Sequence, residues 1–205
     1  MESTKERITY AALQLFAEKG YQTVTVKEIA DKVNIKAPSL YKHFKNKQEI
    51  FTSCKDLFYH RMHEVHDQLH MPDSTRPAFA YQSATTQKII EIAENLFEFY
   101  LTDEVAANFR KILLIERYHN KELNQMYEEI FIDGAIDYEE KVFAELVEQG
   151  AFKKTEPHLL AIKFYAPIYF LIQKYEQRTE SIEEGKEALK QVIIEFCQLY
   201  SNKEG

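Results

Sequence analysis

A chain of 205 residues that is 45% hydrophobic and 13% aromatic has enough apolar material for a sizeable core, and its five glycines and five prolines are too few for an all-β fold with many tight turns. The net charge of −7 argues against nucleic-acid binding until it is divided along the chain: residues 1–50 carry nine Lys/Arg and six Asp/Glu, a net charge of +3, which leaves −10 for residues 51–205. This division suggests a basic head on an acidic body.

The first predicted element is an amphipathic helix over residues 4–19, where apolar residues recur on one helical face. Ser3 and Glu6 have the spacing of a capping box at its start. Gly20 follows as the expected C-terminal end of the helix.

Two shorter helices are predicted next. Thr25 and Glu28 form a second capping box, and the helix that they open ends at Asn34, a residue type that tolerates the left-handed conformation of a tight turn. Pro38 fits the first turn of a third helix, which runs from about residue 37 to residue 44.

The rest of the chain is predicted to be helical apart from one loop, at residues 70–83, which contains Pro72 and Pro77. Asn46 and Glu49 cap a long helix that runs to about residue 69. Further helices are expected at 84–101, 103–118, 121–149, 156–177 and 182–201, with caps or ends at Thr102, Gly150, Thr155 and Ser181 with Glu184. We therefore predict an all-α fold.

Two short helices joined by a tight turn are typical of a helix-turn-helix, whose second helix enters the DNA major groove. An ordinary helical hairpin is the alternative that the spacing leaves open. The segments 11–21, 25–30 and 39–50 resemble the DNA-binding domain of the TetR family of repressors, in one register across three helices. The resemblance covers residues 5–51 closely. It implies a DNA-binding domain at residues 1–50 and a larger helical ligand-binding and dimerisation domain at residues 51–205.

The resemblance also implies which side chains meet DNA. Cations and hydroxyls suit phosphates, and a lysine can reach guanine O6 or N7. Phosphate contacts are expected at Thr25, Tyr41, His43 and Lys47. Base-reading positions are expected at Lys36, Ala37, Pro38, Ser39 and Lys42. Lys36 departs from the family pattern, in which a small hydroxyl residue caps the helix, and lysine is a poor cap.

The body is predicted to contain a dimer interface and an effector pocket. Residues 157–175 are apolar around nearly the whole helix, which predicts burial on all sides, with Pro167 as a kink. Since TetR-like proteins dimerise through their last two long helices, the expected interface residues are Ile168, Ile172, Leu189, Ile193, Phe196 and Tyr200. The expected pocket residues are Met62, Phe97, Tyr100, Phe109, Leu113, Phe131, Tyr165 and Tyr169, which suit a largely apolar or aromatic effector.

Metal and enzyme chemistry have little support. His60, His63, His66 and His70 recur at helical spacing, but they flank or oppose the apolar side, which favours a solvated polar face. Adjacent carboxylates such as Glu139 and Glu140 point about 100° apart and make no acid/base pair. We predict no cofactor, no metal site and no catalytic residue.

Cys54 and Cys197 are interpreted as buried free thiols in a reducing compartment. With no signal peptide and no apolar run of membrane-spanning length, we expect a soluble, cytoplasmic protein without a membrane partner. The favoured function is a homodimeric repressor that binds a double-stranded palindromic operator and releases it when a small effector binds. An activator, a co-repressor-dependent regulator and a metal-responsive regulator of the same fold remain alternatives.

Overall fold

The computed structural model describes residues 3–71, 85–178 and 181–202, and over these ranges the secondary structure is helical. Apart from one isolated bridge between Phe152 and Ser201, no strand occurs in this part of the chain, so the all-α prediction is confirmed. The predicted loop falls mainly on residues 72–84, outside the described residues. The helices are α1 (Thr4–Lys19), α2 (Val26–Lys32), α3 (Ala37–Leu40), α4 (Lys47–Gln68), α5 (Thr86–Thr102), α6 (Glu104–Glu116), α7 (Lys121–Phe131), α8 (Asp133–Glu148), α9 (Pro157–Tyr175) and α10 (Ile182–Tyr200).

The chain divides into two compact units. The first comprises residues 1–63 and 103–127, and the second comprises residues 64–102 and 128–205. The helices α1 to α3 and α6 thus belong to the first unit, and α5 and α8 to α10 belong to the second. The predicted division at residue 50 concerns the extent of the DNA-binding domain, and it stays a prediction.

In the first unit, local sequence signals fix α1. The Ser3 hydroxyl accepts a hydrogen bond from the Glu6 N–H at 3.2 Å, and the Glu6 carboxylate accepts from the Ser3 N–H at 2.6 Å, which confirms the capping box. Gly20 ends the helix with φ +84°, a backbone conformation that residues other than glycine rarely adopt. Its N–H donates to the Phe16 carbonyl. The apolar face of α1, including Ile8 and Leu13, is fully buried.

A segment distant in sequence completes this core. Phe109 on α6 stacks on Phe58 and Phe51 of α4, with ring centroids 4.7 and 5.9 Å apart. Helix α6 also packs against α1. Because α6 is separated from α1 by more than eighty residues, the position of the first unit's core is a tertiary feature rather than a local one.

The second unit is built on aromatic packing among α8, α9 and α10. Phe143 contacts both Phe164 and Phe196 at centroid distances of 5.5 Å. Helix α10 approaches its neighbours closely at Gly185, where an added Cβ would lie 2.6 Å from the fully buried ring of Phe97. A glycine is therefore required at this contact.

Several predicted helix ends are wrong by one residue or lack the predicted bond. Asp103, rather than Thr102, caps α6 by accepting from the N–H groups of its first turn at 3.0 Å. Glu156, rather than Thr155, caps α9, with Pro157 in the first turn as predicted. Ser181 precedes α10 without a side-chain cap bond, so the predicted capping box does not form.

The helix predicted over residues 121–149 is two helices. The chain leaves helical geometry at Ile132, where φ is −123° and ψ is −84°. The backbone beside the break admits only glycine at position 134, because an added Cβ would lie only 1.9 Å from the Glu129 carbonyl oxygen. The predicted end at Gly150 is confirmed by its φ of +71°.

Candidate nucleic-acid interface and ligand cavity

The first half of the helix-turn-helix is held by the predicted cap of α2. The Thr25 hydroxyl accepts from the Glu28 N–H at 3.2 Å and lies 3.0 Å from the Glu28 carboxylate, to which it donates. The Thr25 N–H also donates to this carboxylate, and together with the Lys19 ammonium these bonds lower the pKa of Glu28 to about 2. The Thr25 hydroxyl is thus engaged within the chain while its side chain remains exposed.

The turn has the predicted geometry. Asn34 has φ +57°, the left-handed conformation, and the Ile35 N–H donates to the Ala30 carbonyl at 3.0 Å. The Arg7 guanidinium donates to the Val33 carbonyl, which ties the turn to α1. The hydrogen bond within the turn and the hydrogen bond to Arg7 together fix the direction of α3 relative to α2.

Helix α3 presents the predicted contact residues on its open side. Lys36 stands at its N-cap without a side-chain bond, as expected of a poor cap. Leu40 and Phe44 are buried, and backbone bonds continue the helical turn as far as Phe44. The side chains left exposed on this segment are Lys36, Pro38, Tyr41, Lys42 and His43, with Ala37 and Ser39 partly buried between them.

Lys47 occupies a different position from the one that the resemblance implies. Its ammonium donates to the carbonyls of Tyr21, Gln22 and Val24 at 2.8, 3.1 and 3.0 Å, and it lies 4.6 Å from the centroid of the Tyr21 ring. An ammonium has three N–H donors, and all three are used here. Burial lowers the pKa of Lys47, while Glu116 acts in the opposite sense. A phosphate contact by Lys47 requires these bonds to be exchanged.

A buried carboxylate of α6 meets the same turn. Glu116, only 4% exposed, accepts from the Gln22 N–H at 3.2 Å and lies close to Gly20. The α1–α2 turn is thus held by Lys47 through its carbonyls and by Glu116 through an N–H. Sequence reasoning missed both contacts, because neither partner is near the turn in the chain.

The second unit contains a cavity of about 60 Å³. Polar groups on its lining come from Tyr100, Glu139 and Tyr165. The Tyr165 hydroxyl donates to the Phe131 carbonyl at 2.8 Å. The apolar lining comes from α5 and α9 and consists of Ile89, Ile92, Ala93, Leu96, Phe164, Ile168 and Ile172.

Comparison with known proteins explains the architecture of the first unit. Residues 8–54 match the family described as bacterial regulatory proteins, tetR family. Residues 8–54 therefore form a DNA-binding domain of the TetR-family type. It is 48% identical over 48 residues, a quarter of that protein, to the uncharacterised regulator YvkB of Bacillus subtilis. It is 23% identical over 97% of its own length and 100% of the relative to IcaR of Staphylococcus aureus, a negative transcriptional regulator of the biofilm operon icaADBC.

The fold of the whole chain is also that of TetR-family structures. The SmeT–triclosan complex superposes with a TM-score of 0.73 at 20% identity, covering 98% of this chain and 93% of SmeT, the repressor of a multidrug efflux pump of Stenotrophomonas maltophilia. The chain is therefore a helix-turn-helix, DNA-binding transcriptional regulator and not an enzyme. TetR-family regulators bind DNA and small-molecule effectors and are typically dimeric.

The eight residues predicted for the effector pocket of this TetR-family regulator are not gathered in one place. Tyr100 and Tyr165 line the cavity of the second unit. The ring of Phe131 packs on that of Tyr100 at a centroid distance of 5.6 Å, and the ring of Tyr169 packs on that of Tyr165 at 6.1 Å. Phe131 and Tyr169 therefore contact lining residues without lining the cavity themselves. Phe97 is fully buried near Gly185, and the remaining three, Met62, Phe109 and Leu113, belong to the first unit, where Phe109 and Leu113 are core.

Glu139 is the lining residue that sequence reasoning discounted. It continues the inward-facing stripe of Ile136, Phe143 and Leu146 on α8, and this position was the available signal. Burial raises the pKa of Glu139 to about 8. Among the described residues, Glu139 has no hydrogen-bond or ion-pair partner.

The predicted dimer-interface residues lie mostly in the interior of the single chain. Five of the six are interior within a single chain, with exposed fractions of 0–8%: Ile168, Ile172, Leu189, Ile193 and Phe196. The sixth, Tyr200, is partly buried. Its ring packs on that of Phe196 at a centroid distance of 5.1 Å, and its hydroxyl accepts a hydrogen bond from the Lys163 ammonium. Side chains that already fill the monomer core have little surface left for a partner subunit, and the interface stays a prediction.

The structural basis for a metal site is also weak. Over residues 3–71, 85–178 and 181–202, no group of three or more His, Cys, Asp or Glu side chains is placed to hold a metal ion. The metal-responsive alternative is therefore not favoured. Cys54 and Cys197 are buried and free, as predicted. No helix within the described ranges has the length and apolar character that crossing a membrane takes.

Proposed function

We propose that this TetR-family regulator is a repressor that binds a palindromic operator as a homodimer and releases it when a small, largely apolar effector enters the second unit. As a DNA-binding protein of this kind, it would act in the cytoplasm. The observation that carries the proposal is the exposed surface of α3, where Tyr41, Lys42 and His43 stand over the buried anchors Leu40 and Phe44. Rigidly anchored cationic and hydroxyl side chains are what groove and phosphate recognition need.

Within this surface, we assign base reading to Lys36, Ala37, Pro38, Ser39 and Lys42, and phosphate contacts to Tyr41 and His43. Tyr41 is 53% exposed, so its hydroxyl is accessible to a phosphate. Thr25 can donate to a phosphate only by exchanging its bond to the Glu28 carboxylate. For Lys47 we propose an indirect role, in which it holds the α1–α2 turn so that α2 meets the DNA backbone correctly.

For the dimer we propose an exposed face of the last two helices. Leu159, Ile162 and Phe170 are spaced to lie on one side of α9, and they remain exposed. On α10, Leu199 is 55% exposed. An apolar stripe of this kind suits a partner subunit, and a two-fold dimer would suit a palindromic operator with half-sites about one DNA turn apart, ~34–36 Å.

For the effector we propose the cavity between α5, α8 and α9. IcaR is a negative regulator, which favours repression, and SmeT forms a complex with triclosan, which favours a small-molecule ligand for this fold. Helices α4 and α7 each contribute residues to both compact units, and we assign the coupling to α4 because it follows the helix-turn-helix directly in the chain. A ligand can shift operator affinity only by its differential affinity for the two forms, typically 1–3 kcal/mol.

The experiment begins with selection of binding sites from random duplexes, followed by fluorescence anisotropy with the selected sequence. We expect a palindromic site, one dimer per site and binding that weakens steeply with salt. An asymmetric site bound by a monomer would contradict the dimeric proposal. Absence of sequence-specific binding would contradict the operator proposal as a whole.

The release step is tested by titrating a compound found to bind the second unit, with and without operator. Linkage requires that an effector which weakens operator binding must itself bind less tightly when operator is present, by the same factor. Equal affinities in the two titrations would exclude effector release. Operator binding that strengthens with the compound would indicate a co-repressor instead.

A further inference from the structure

The cavity of the second unit has an unusual electrostatic composition. Its lining is apolar except for Tyr100, Tyr165 and the single carboxyl group of Glu139. Among the described residues that line it, none is Lys, Arg or His. A carboxylate without a cationic or hydrogen-bonding partner is expensive to enclose among apolar side chains.

In accordance with this cost, burial raises the pKa of Glu139 to about 8. Glu139 lies on the inward-facing side of α8, because Phe143 and Leu146, one and two helical turns further along the same side, are only 3% and 2% exposed in the core of the unit. An ordinary amphipathic helix would carry an apolar residue at this position.

We propose that the cavity binds a small organic cation, a compound with a protonated amine and a short apolar or aromatic body, and that Glu139 provides the counter-charge. The proposal rests on the effector site assigned above and specifies its ligand class. A cation supplies the partner that the carboxylate lacks, while the walls from α5 and α9 cover the apolar body. The aromatic rings of Tyr100 and Tyr165 offer further favourable faces to an ammonium group.

The same composition argues against the other ligand classes. An organic anion would find no cation on the lining and would hold Glu139 in its protonated form. A neutral apolar ligand would fill the cavity without forming an ion pair, whereas a cation would favour the ionised form of Glu139. The volume of about 60 Å³ holds a short chain or an amine-bearing head group rather than a drug-sized molecule.

The test uses three ligands of one shape: hexylamine, 1-hexanol and hexanoate. Dissociation constants would be measured by NMR titration of the full-length, methyl-labelled protein at a pH above the pKa of about 8 of Glu139, where this carboxyl is ionised and the amine is still protonated. We expect hexylamine to bind at least tenfold more tightly than 1-hexanol, and hexanoate to bind more weakly than both. Glu139→Gln should reduce the affinity for hexylamine to that of 1-hexanol and leave 1-hexanol unchanged.

Glu140→Gln is the matched control, because Glu140 is the adjacent carboxylate, is exposed, and pairs with His158 at 2.7 Å outside the cavity. It should leave the preference for the amine intact. Equal affinities for hexylamine and 1-hexanol, a preference that survives Glu139→Gln, or no binding of any of the three would overturn the proposal. Since these measurements involve no DNA, amine binding through Glu139 that leaves operator affinity unchanged would refute only the release mechanism, and operator release by neutral compounds alone would refute only the cation assignment.

Discussion

Lys47→Met separates two roles for a lysine that lies at the edge of the DNA-binding surface. The substitution keeps the length of the side chain and removes the ammonium, whose three donors bond the carbonyls of Tyr21, Gln22 and Val24. If Lys47 acts by holding this turn, the variant should lose stability. If it acts on a phosphate, the variant should lose salt-dependent affinity instead.

The expected magnitude follows from the environment of the three carbonyls. The bonds to Tyr21 and Val24 are partly buried, and each bond from a charged donor contributes roughly 1.5 kcal/mol or more. The bond to Gln22 is exposed, so water replaces it at little cost. The cation–π contact with Tyr21 adds about 0.5 kcal/mol, whereas removal of the ammonium also removes its desolvation penalty and so offsets part of this loss. We expect Lys47→Met to lower the free energy of unfolding by about 2 kcal/mol.

Two assays decide the matter, with Lys42→Met as the control. Lys42 is exposed in the turn that follows α3, so its substitution should change the urea unfolding free energy by less than about 0.5 kcal/mol and reduce the salt dependence of operator binding. Lys47→Met should show the reverse pattern, with lower stability and an unchanged salt slope. If Lys47→Met is fully stable and reduces the slope by about one, as loss of one phosphate contact would, the turn-holding role is refuted.

Four further predictions concern both units. Gly185→Ala should destabilise the second unit by about 1–3 kcal/mol in thermal unfolding, because its Cβ would overlap the buried ring of Phe97; an unchanged melting temperature would show that α10 can shift freely. Phe170→Glu should yield a folded monomer by native mass measurement, whereas Leu189→Glu should prevent folding; a dimeric Phe170→Glu protein would exclude this face of α9 as the interface. Lys42→Ala should change base preference by about 1–3 kcal/mol in competition binding, and unaltered preference would remove it from base reading. Because the pKa of Glu139 is raised, wild-type stability should fall as pH rises from about 4.5 to about 8, by at most about 1.4 kcal/mol per pH unit; Glu139→Gln should abolish this slope, and parallel profiles would contradict the assignment.

The helix-turn-helix could be predicted in detail because each of its features is decided within a few residues. The capping boxes at Ser3 and Thr25 join groups three positions apart. The left-handed turn at Asn34 and the helix end at Gly20 depend on the backbone preferences of single residues. Such local signals hold whatever the rest of the chain does, and the resemblance over residues 5–51 gave them a functional meaning.

The interface and pocket residues could not be predicted equally well, because hydrophobic periodicity shows that a residue is buried but not what buries it. Leu189 and Phe170 are both apolar residues of the last two helices, yet one is fully buried in the monomer core and the other is 64% exposed. Phe109 and Tyr100 looked equally suited to a pocket, but only Tyr100 borders the cavity.

The sequence by itself therefore determined the helical fold, the helix-turn-helix and the surface of α3 that faces solvent. Only the tertiary structure decided that Lys47 and Glu116 hold the same turn, that a predicted long helix breaks at Ile132, and that Glu139 borders an apolar cavity. The physical reason is the separation along the chain of the groups that interact. Caps, turns and amphipathic faces arise from groups within one or two helical turns, whereas the partner of a buried charge or an aromatic ring comes from a helix whose position depends on the packing of the whole unit.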